Sequence, residues 1–516
     1  MVDRYVSTQQ LNGLPIGNDD NDGTVNAPYL TLQKAFESRS TNERVFINGI
    51  VEHAATITDA ANDHKQILAF KDSDNVTELI YTGSSSYFLD YGSTNVGADL
   101  TIKGFKLNAL NAATGIATAT GSNATTWNIE KINFTEKPAW GFFGANTAMQ
   151  VNLIDVVLSY TRSATSNGFW YNQDQNGLIN IENLVLNVND YIVNSERGLF
   201  NIKSNDGSGQ FILNGAEGFY KQENSGTAVY LFNIENHAGA TANFKNRKID
   251  LKADASTAFF VCRLAASDDA EAAQCDNQTI RDGFFNYGDN CDGGIGALIG
   301  RDGSDSNANN KSNNGVISNI ICNVSEQTNS IHGCMLGHNQ RGQIVNCDIT
   351  GAKLPIIHKG TTGAIASHNN INATGNAIDA LYAKTATNSI FARNKINYSA
   401  ASGRAIYSAV NTSNAAFIDN QINFKSGATP SAYVEVTSDS TSQFSANNYI
   451  EGTGFVPITN KFKYSGSDYT SLAQWQAAHE ENANKISTSN TVGKTGSTFK
   501  IIDSLSDDVA FAAIFD

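Results

Sequence analysis

Proline, charge and basic residues are all scarce in this chain of 516 residues, which has six prolines, 16% charged side chains, and 35 Lys and Arg against 50 Asp and Glu. The net charge of −15 excludes a nucleic-acid binder that relies on a basic face. No apolar run approaches the roughly 18 residues that a membrane-spanning helix needs, so membrane insertion is not expected. Cysteine is sparse too. Cys262, Cys275, Cys291, Cys322, Cys334 and Cys347 fall in one stretch without CxxC spacing, which argues against zinc. Buried thiols are one reading and a disulfide pair the other. The start, MVDRYVSTQQ, has neither a basic n-region nor an apolar h-region. The expectation is a chain without a Sec signal, through its removal or because the protein leaves its cell by another route such as host lysis.

The charged fraction lies below the roughly 25% usual for globular chains. With 41% apolar content a continuous core is available, so the polarity comes from neutral Asn, Ser, Thr and Gly. That balance favours β structure with many turns. No Pro or Ser linker interrupts the chain, so one long domain is expected rather than the three its length would suggest.

A short pattern returns every 24 to 28 residues in the first half: Thr101–Leu107, Asn128–Phe134, Asn152–Leu158 and Asn180–Leu186. The second half carries Ile321, Ile349, Ile371, Ile396, Ile422 and Ile450 at spacings of 28, 22, 25, 26 and 28, read here as a buried column. Asn319, Asn369, Asn394, Asn420 and Asn448 precede most of them by two, with Cys347 once in that place. A second strand family lies between, including Trp140-Gly-Phe-Phe, Asn167-Gly-Phe-Trp, Arg197-Gly-Leu-Phe, Pro355-Ile-Ile-His and Ala380-Leu-Tyr-Ala. Units of about 25 residues with two or three short strands and no helical pattern predict an all-β right-handed parallel β-helix of about 12 to 14 coils. At about 4.8 Å per coil, a dozen coils make a rod of roughly 60 Å. The repeated asparagines read as inward corner residues that bond the backbone of the next coil. Helical spacing over Pro28–Phe36 and Thr470–His479 predicts a short cap at each end. The expected organisation is an opening segment and cap over 1–40, the β-helix over 41–456, and a closing cap and assembly tail over 457–516, with no coil rhythm after Ser487.

Gly17–Thr24 followed by Ala27–Ala35 resembles the opening segment of pectate-lyase-like right-handed β-helix proteins, among them bacteriophage tailspikes and secreted polysaccharide lyases. The Tyr469–Trp475 closing segment is similar to theirs as well. The resemblance implies a virion-associated spike or fibre that recognises a host-surface polysaccharide and possesses or lacks a degrading activity. The tail Val509–Phe515 then suits docking on other virion subunits, with a homotrimer as the implied state. The alternatives are a secreted, extracellular lyase acting on a uronate glycan by β-elimination, and an adhesin-like β-helix without a glycan site. No cofactor is required by any of these.

Candidate sites follow from side-chain chemistry. Asn18, Asp20 and Asp22 before Gly23 have the alternate-oxygen spacing of a calcium loop, but Tyr29 stands where an EF-hand has its glutamate, and an Asx-turn is the alternative. Wider spacing after Cys262 predicts two bulging loops. The first holds Asp268, Asp269 and Glu271; the second holds Arg301, Asp302 and Asp305, after Asp289 and Asp292. Such carboxylates suit glycoside hydrolysis or a calcium held against a uronate, and solvated acidic loops are the alternative. Lys359 and Lys384 each precede a buried isoleucine by twelve residues, so they are expected side by side, with His358 and His338 nearby. A lysine base beside a second cation suits removal of a proton α to a uronate carboxylate. Chondroitinase-B-like alginate lyases use a comparable Lys and Arg, although Lys384 stands where their pattern has Arg; ordinary surface charges are the alternative. Trp140, Trp170 and Tyr171, with Phe142, Phe143, Phe169 and Phe200, form either an outward sugar-stacking strip or an internal aromatic ladder.

Overall fold

The structure, a computed structural model, describes residues 2–58, 60, 62–71, 76–91, 98–121, 124–146, 148–161, 166–172, 176–192, 198–204, 207–223, 228–265, 276–300, 312–325, 330–437, 441–479, 485–486 and 490–494. It is a parallel β-helix with two short helices, Leu32–Ser38 and Leu472–His479. Two compact units divide the chain, the first running to Val316 and taking in Ile320–Glu326, the second comprising Ile317–Asn319 and the chain from Gln327.

In unit one, the strands Tyr87–Tyr91, Gly115–Gly121, Trp140–Asn146, Trp170–Asn172, Gly198–Lys203, Val229–Glu235, Thr257–Ala265 and Cys291–Gly300 stack in parallel as one wall. The facing wall begins earlier than the sequence predicts, because Arg4–Ser7 is already a rung, paired with Arg44–Asn48. Further along, pairs of short strands merge into continuous 13-residue strands, Leu178–Asp190, Gln210–Gln222 and Thr241–Ala253. The helix Leu32–Ser38 starts where Thr31 accepts the Lys34 N–H.

Unit two repeats a tighter coil. His332–Gly337, Leu354–Lys359, Ile378–Lys384, Gly403–Ser408, Ala432–Val436 and Phe462–Tyr464 form one parallel wall, closed by the antiparallel strand Ser467–Tyr469. At one corner of four successive coils a left-handed residue, His368, Arg393, Asp419 or Ala446 (φ 52–58°), turns the chain and is followed by a buried asparagine. The Asn369 backbone N–H donates to Asn394 Oδ1 at 3.1 Å, and the same bond recurs from Asn394 to Asn420, Asn420 to Asn447 and Asn447 to Asn490. Each amide nitrogen also donates to a backbone carbonyl of a preceding coil, such as Ile344 O or Phe391 O. The corner thus leaves none of these groups buried and unpaired.

The series slips by one residue at both ends. Ile321 is 41% exposed while Cys322 is buried, and Tyr449, in place of Ile450, pairs with Ile422. The ladder residue there is accordingly Asn447 and not Asn448, and Asn319, at φ 54°, is a corner residue. The coils also continue past 456 and past Ser487, since Thr491–Lys494 pairs with Asn448–Glu451 and Asn490 adds a rung to the ladder. Cys262, Cys291, Cys322, Cys334 and Cys347 are buried free thiols, and Cys275 lies outside the described residues.

Candidate functional site

In the unit-two wall, the strands Ile378–Lys384 and Gly403–Ser408 each turn two successive residues inward between outward residues that lie three apart. Ala405 and Ile406 are fully buried between Arg404 and Tyr407, and Ala380 and Leu381 are likewise buried between Asp379 and Tyr382. Parallel register then builds three outward columns. Asp379 meets Arg404; Ile357, Tyr382, Tyr407 and Glu435 align; Lys359 meets Lys384.

Arg404 is the hinge of this surface. Its Nε and Nη2 donate to the two oxygens of Asp379 at 2.8 Å each, and its Nη1 donates to Glu435 at 3.2 Å. The guanidinium lies 3.7 Å from the centre of the Tyr407 ring, whose neighbour Tyr382 is tilted 60° at 5.5 Å. Burial works against the Arg404 charge, but the Asp379 and Glu435 carboxylates outweigh it and raise the pKa. Burial, with smaller contributions from Tyr407 and Asp379, pushes the Tyr382 hydroxyl up to about 12, so it stays a proton donor. Both carboxylates are committed to Arg404. Lys359 and Lys384 are like charges directly opposite each other, an arrangement that favours an anion between them.

The structure therefore brings Lys359 and Lys384 together in register. His338 joins them at the corner, where its backbone N–H donates to the backbone Lys359 O at 2.7 Å and its ring covers Gly360, at which a Cβ would come within 2.7 Å of Nδ1. His358 goes the other way. Alternation turns it into the core, fully buried, with its ring 4.4 Å from Phe391, and burial lowers its pKa to about 3. An imidazole enclosed there cannot meet a polymer at the surface.

In unit one, Trp170 belongs to the internal ladder, stacked on Phe142 at 4.6 Å and 17°. Trp140 and Tyr171 lie on the outward side, tilted together at 5.1 Å, and each is only 9% exposed. The expected strip is thus divided between core and recess. Asp268, Asp269, Glu271, Arg301, Asp302 and Asp305 lie outside the described residues. At the opening loop, Asn18 Oδ1 accepts the Asp20 N–H, and Asp22 Oδ1 accepts the N–H and hydroxyl of Thr24, bonds that lower the Asp22 pKa. Asp19 binds the Leu30 and Thr31 N–H groups and fastens the loop to the helix cap. The Asn18–Asp20 and Asp22–Thr24 bonds are Asx-turn bonds, and among the described residues no three His, Cys, Asp or Glu side chains are grouped to hold a metal.

The sequence reading missed Asp379, Tyr382, Arg404, Tyr407 and Glu435. Their signal is a spacing of three within the strand, Asp-x-x-Tyr and Arg-x-x-Tyr one coil apart, which a search for strict alternation passes over.

No protein-family model matches the chain, and no curated protein does. Among solved structures, the GH136 lacto-N-biosidase of Eubacterium ramulus is similar at 10% identity and a TM-score of 0.32, over 95% of this chain and 68% of that one. The tailspike of E. coli bacteriophage HK620, a mutant in complex with a hexasaccharide, is similar at 10% identity and a TM-score of 0.30, over 85% of this chain and 73% of that one. Likenesses of this degree carry no argument about function.

Proposed function

We propose that the chain recognises an acidic polysaccharide through the outer face of unit two, as a spike or fibre protein of a virion. The observation that carries the recognition is the register of Lys359 with Lys384 beside the Tyr382–Tyr407 ring pair on one face. Two aligned cations meet a carboxylate or sulfate, and half-buried tyrosines take the apolar face of the sugar ring. The likeness of Gly17–Thr24 and Ala27–Ala35 to tailspike opening segments supports the virion. The test is binding to alginate, polygalacturonate and a glycosaminoglycan, with dextran as the neutral control. Lys359→Ala/Lys384→Ala should weaken binding to the acidic polymer at least about tenfold, or 1.4 kcal/mol, with an unchanged melting temperature. Equal binding of dextran and the acidic polymers would overturn the reading. The virion reading carries a homotrimer docked through Val509–Phe515, which lies outside the described residues; a monomer by light scattering at micromolar concentration would mean that this tail caps its own chain instead.

A second reading, β-elimination, is favoured by the meeting of His338, Lys359 and Lys384 at one corner. In that case the wild type releases unsaturated products absorbing in the near ultraviolet, and Lys359→Ala releases none.

A further inference from the structure

Unit one holds a cavity of about 290 Å³ at the corner between the helix Leu32–Ser38 and the strands Arg44–Asn48 and Lys65–Ala69. Phe36, Arg39, Ser40 and Thr41 line it from one coil, and Asp63 and Lys65 from the next. None of the site residues expected from the sequence lies there.

Two cations and one carboxylate share the wall. Arg39, whose side chain is 6% exposed, donates from Nη1 to Asp63 Oδ1 at 3.0 Å and from Nη2 to Asp63 Oδ2. Lys65 Nζ donates to Asp63 Oδ2 at 3.0 Å, and the Asn42 backbone N–H to Asp63 Oδ1 at 3.1 Å. Burial opposes the Asp63 charge, but these four bonds outweigh it and lower the pKa to about 2. Asp63 therefore stays ionised with its lone pairs taken. Two cations against one carboxylate leave one positive charge on the wall. Lys65, the less enclosed cation at 12% exposed, gives one of its three N–H groups to Asp63 and has no other acceptor among the described residues. At the exposed rim the Ser40 and Thr41 hydroxyls form no hydrogen bond among the described residues. Glu43, close in sequence, is committed elsewhere, to Arg4 Nε at 3.2 Å and the Ser40 N–H at 2.8 Å.

We infer that this cavity binds a polyhydroxy carboxylate, a single sugar acid of the hexuronate kind, with its carboxylate on Lys65 and its hydroxyls on Ser40 and Thr41. The volume suits one such unit, since sites for small molecules start at about 300 Å³. One net positive charge matches a monoanion. A phosphate monoester carries about −1.5 to −2 near neutral pH and would meet the fixed charge of Asp63. A plain aliphatic acid would leave both rim hydroxyls unused. The inference does not depend on the acidic-polymer face of unit two, which is built from other residues. Calorimetric and saturation-transfer titration of the full chain tests it, with glucuronate and galacturonate as ligands and glucose, butyrate and glucose 6-phosphate as controls. At least one uronate should bind at least about tenfold more tightly than every control. Lys65→Gln should weaken it at least about tenfold, and Thr41→Val, a change at an exposed position, at least about threefold. Lys359→Ala/Lys384→Ala should leave it within about twofold. Circular dichroism of each variant monitors the coil, and Thr41→Val carries the test if Lys65→Gln unfolds. Failure of both uronates to bind, a control that binds as tightly, or equal binding by Thr41→Val and the wild type overturns the site.

Discussion

Burial holds the His358 imidazole uncharged down to about pH 3, and His53 and His237 down to about pH 4. Neither ring nitrogen of His358 has a hydrogen-bond partner, and the ring abuts an aromatic series that runs Phe391, Phe417, Phe444, Trp475 at 4.9 to 5.1 Å. Because the folded pKa lies below the unfolded value of about 6.5, the unfolded chain takes up a proton that the folded chain refuses. Stability is complete above pH 6.5 and falls as the pH drops toward 3. At pH 5 the share of His358 alone is about 2 kcal/mol. His358→Phe extends the ring series and removes two unpartnered nitrogens. It should equal or exceed the wild type at pH 7 and gain about 2 kcal/mol on it at pH 5, measured by urea unfolding. A difference independent of pH would place the proton elsewhere.

At the scale of the element, the asparagine corner fastens successive coils of unit two to one another. Asn420 accepts from the N–H and the amide of Asn394 and donates to Phe391 O and Asn447 Oδ1, all between 2.9 and 3.0 Å. Asn420→Ala leaves several buried groups unpaired at once and should cost about 3 to 5 kcal/mol in urea unfolding. Asn420→Asp keeps the shape but loses the donors and buries a charge, so it should be no better. These corners were legible in the sequence because Asn369, Asn394 and Asn420 recur with their isoleucines. The phase of the terminal coils was not. Asn447 and Asn448 are adjacent, so spacing alone cannot choose between them, and the choice depends on Tyr449 pairing with Ile422. The lysine register was legible for the same reason as the corners, since Lys359 and Lys384 keep one offset from the repeat. The Arg404–Tyr407 surface was not, because two successive inward residues break the period of two by which outward positions are found. His358 was misjudged because neighbours in sequence occupy opposite faces of a strand.

For the whole molecule the net charge of −15 sets how an acidic polymer arrives. The approach is repulsive until the polymer comes within reach of Lys359 and Lys384. Raising salt from 0.01 to 0.1 M shortens the screening length from about 30 to about 10 Å, which weakens the long-range repulsion more than the contact pair. The association rate for the acidic polymer should therefore rise over that interval, and a stopped-flow series at graded salt checks it; a rate that falls steadily would mean that attraction governs from the start. The asparagine ladder carries a consequence of another kind. Its successive asparagines lie 25, 26, 27 and finally 43 residues apart in the chain, and the longest excursion holds the Phe462–Tyr469 hairpin and the helix Leu472–His479. The bond from one asparagine to the next takes no account of how much polypeptide lies between them. A lineage built on such rungs can change its outer loops by splicing whole segments between them while the corner is inherited intact, and the same joints would accept a grafted domain.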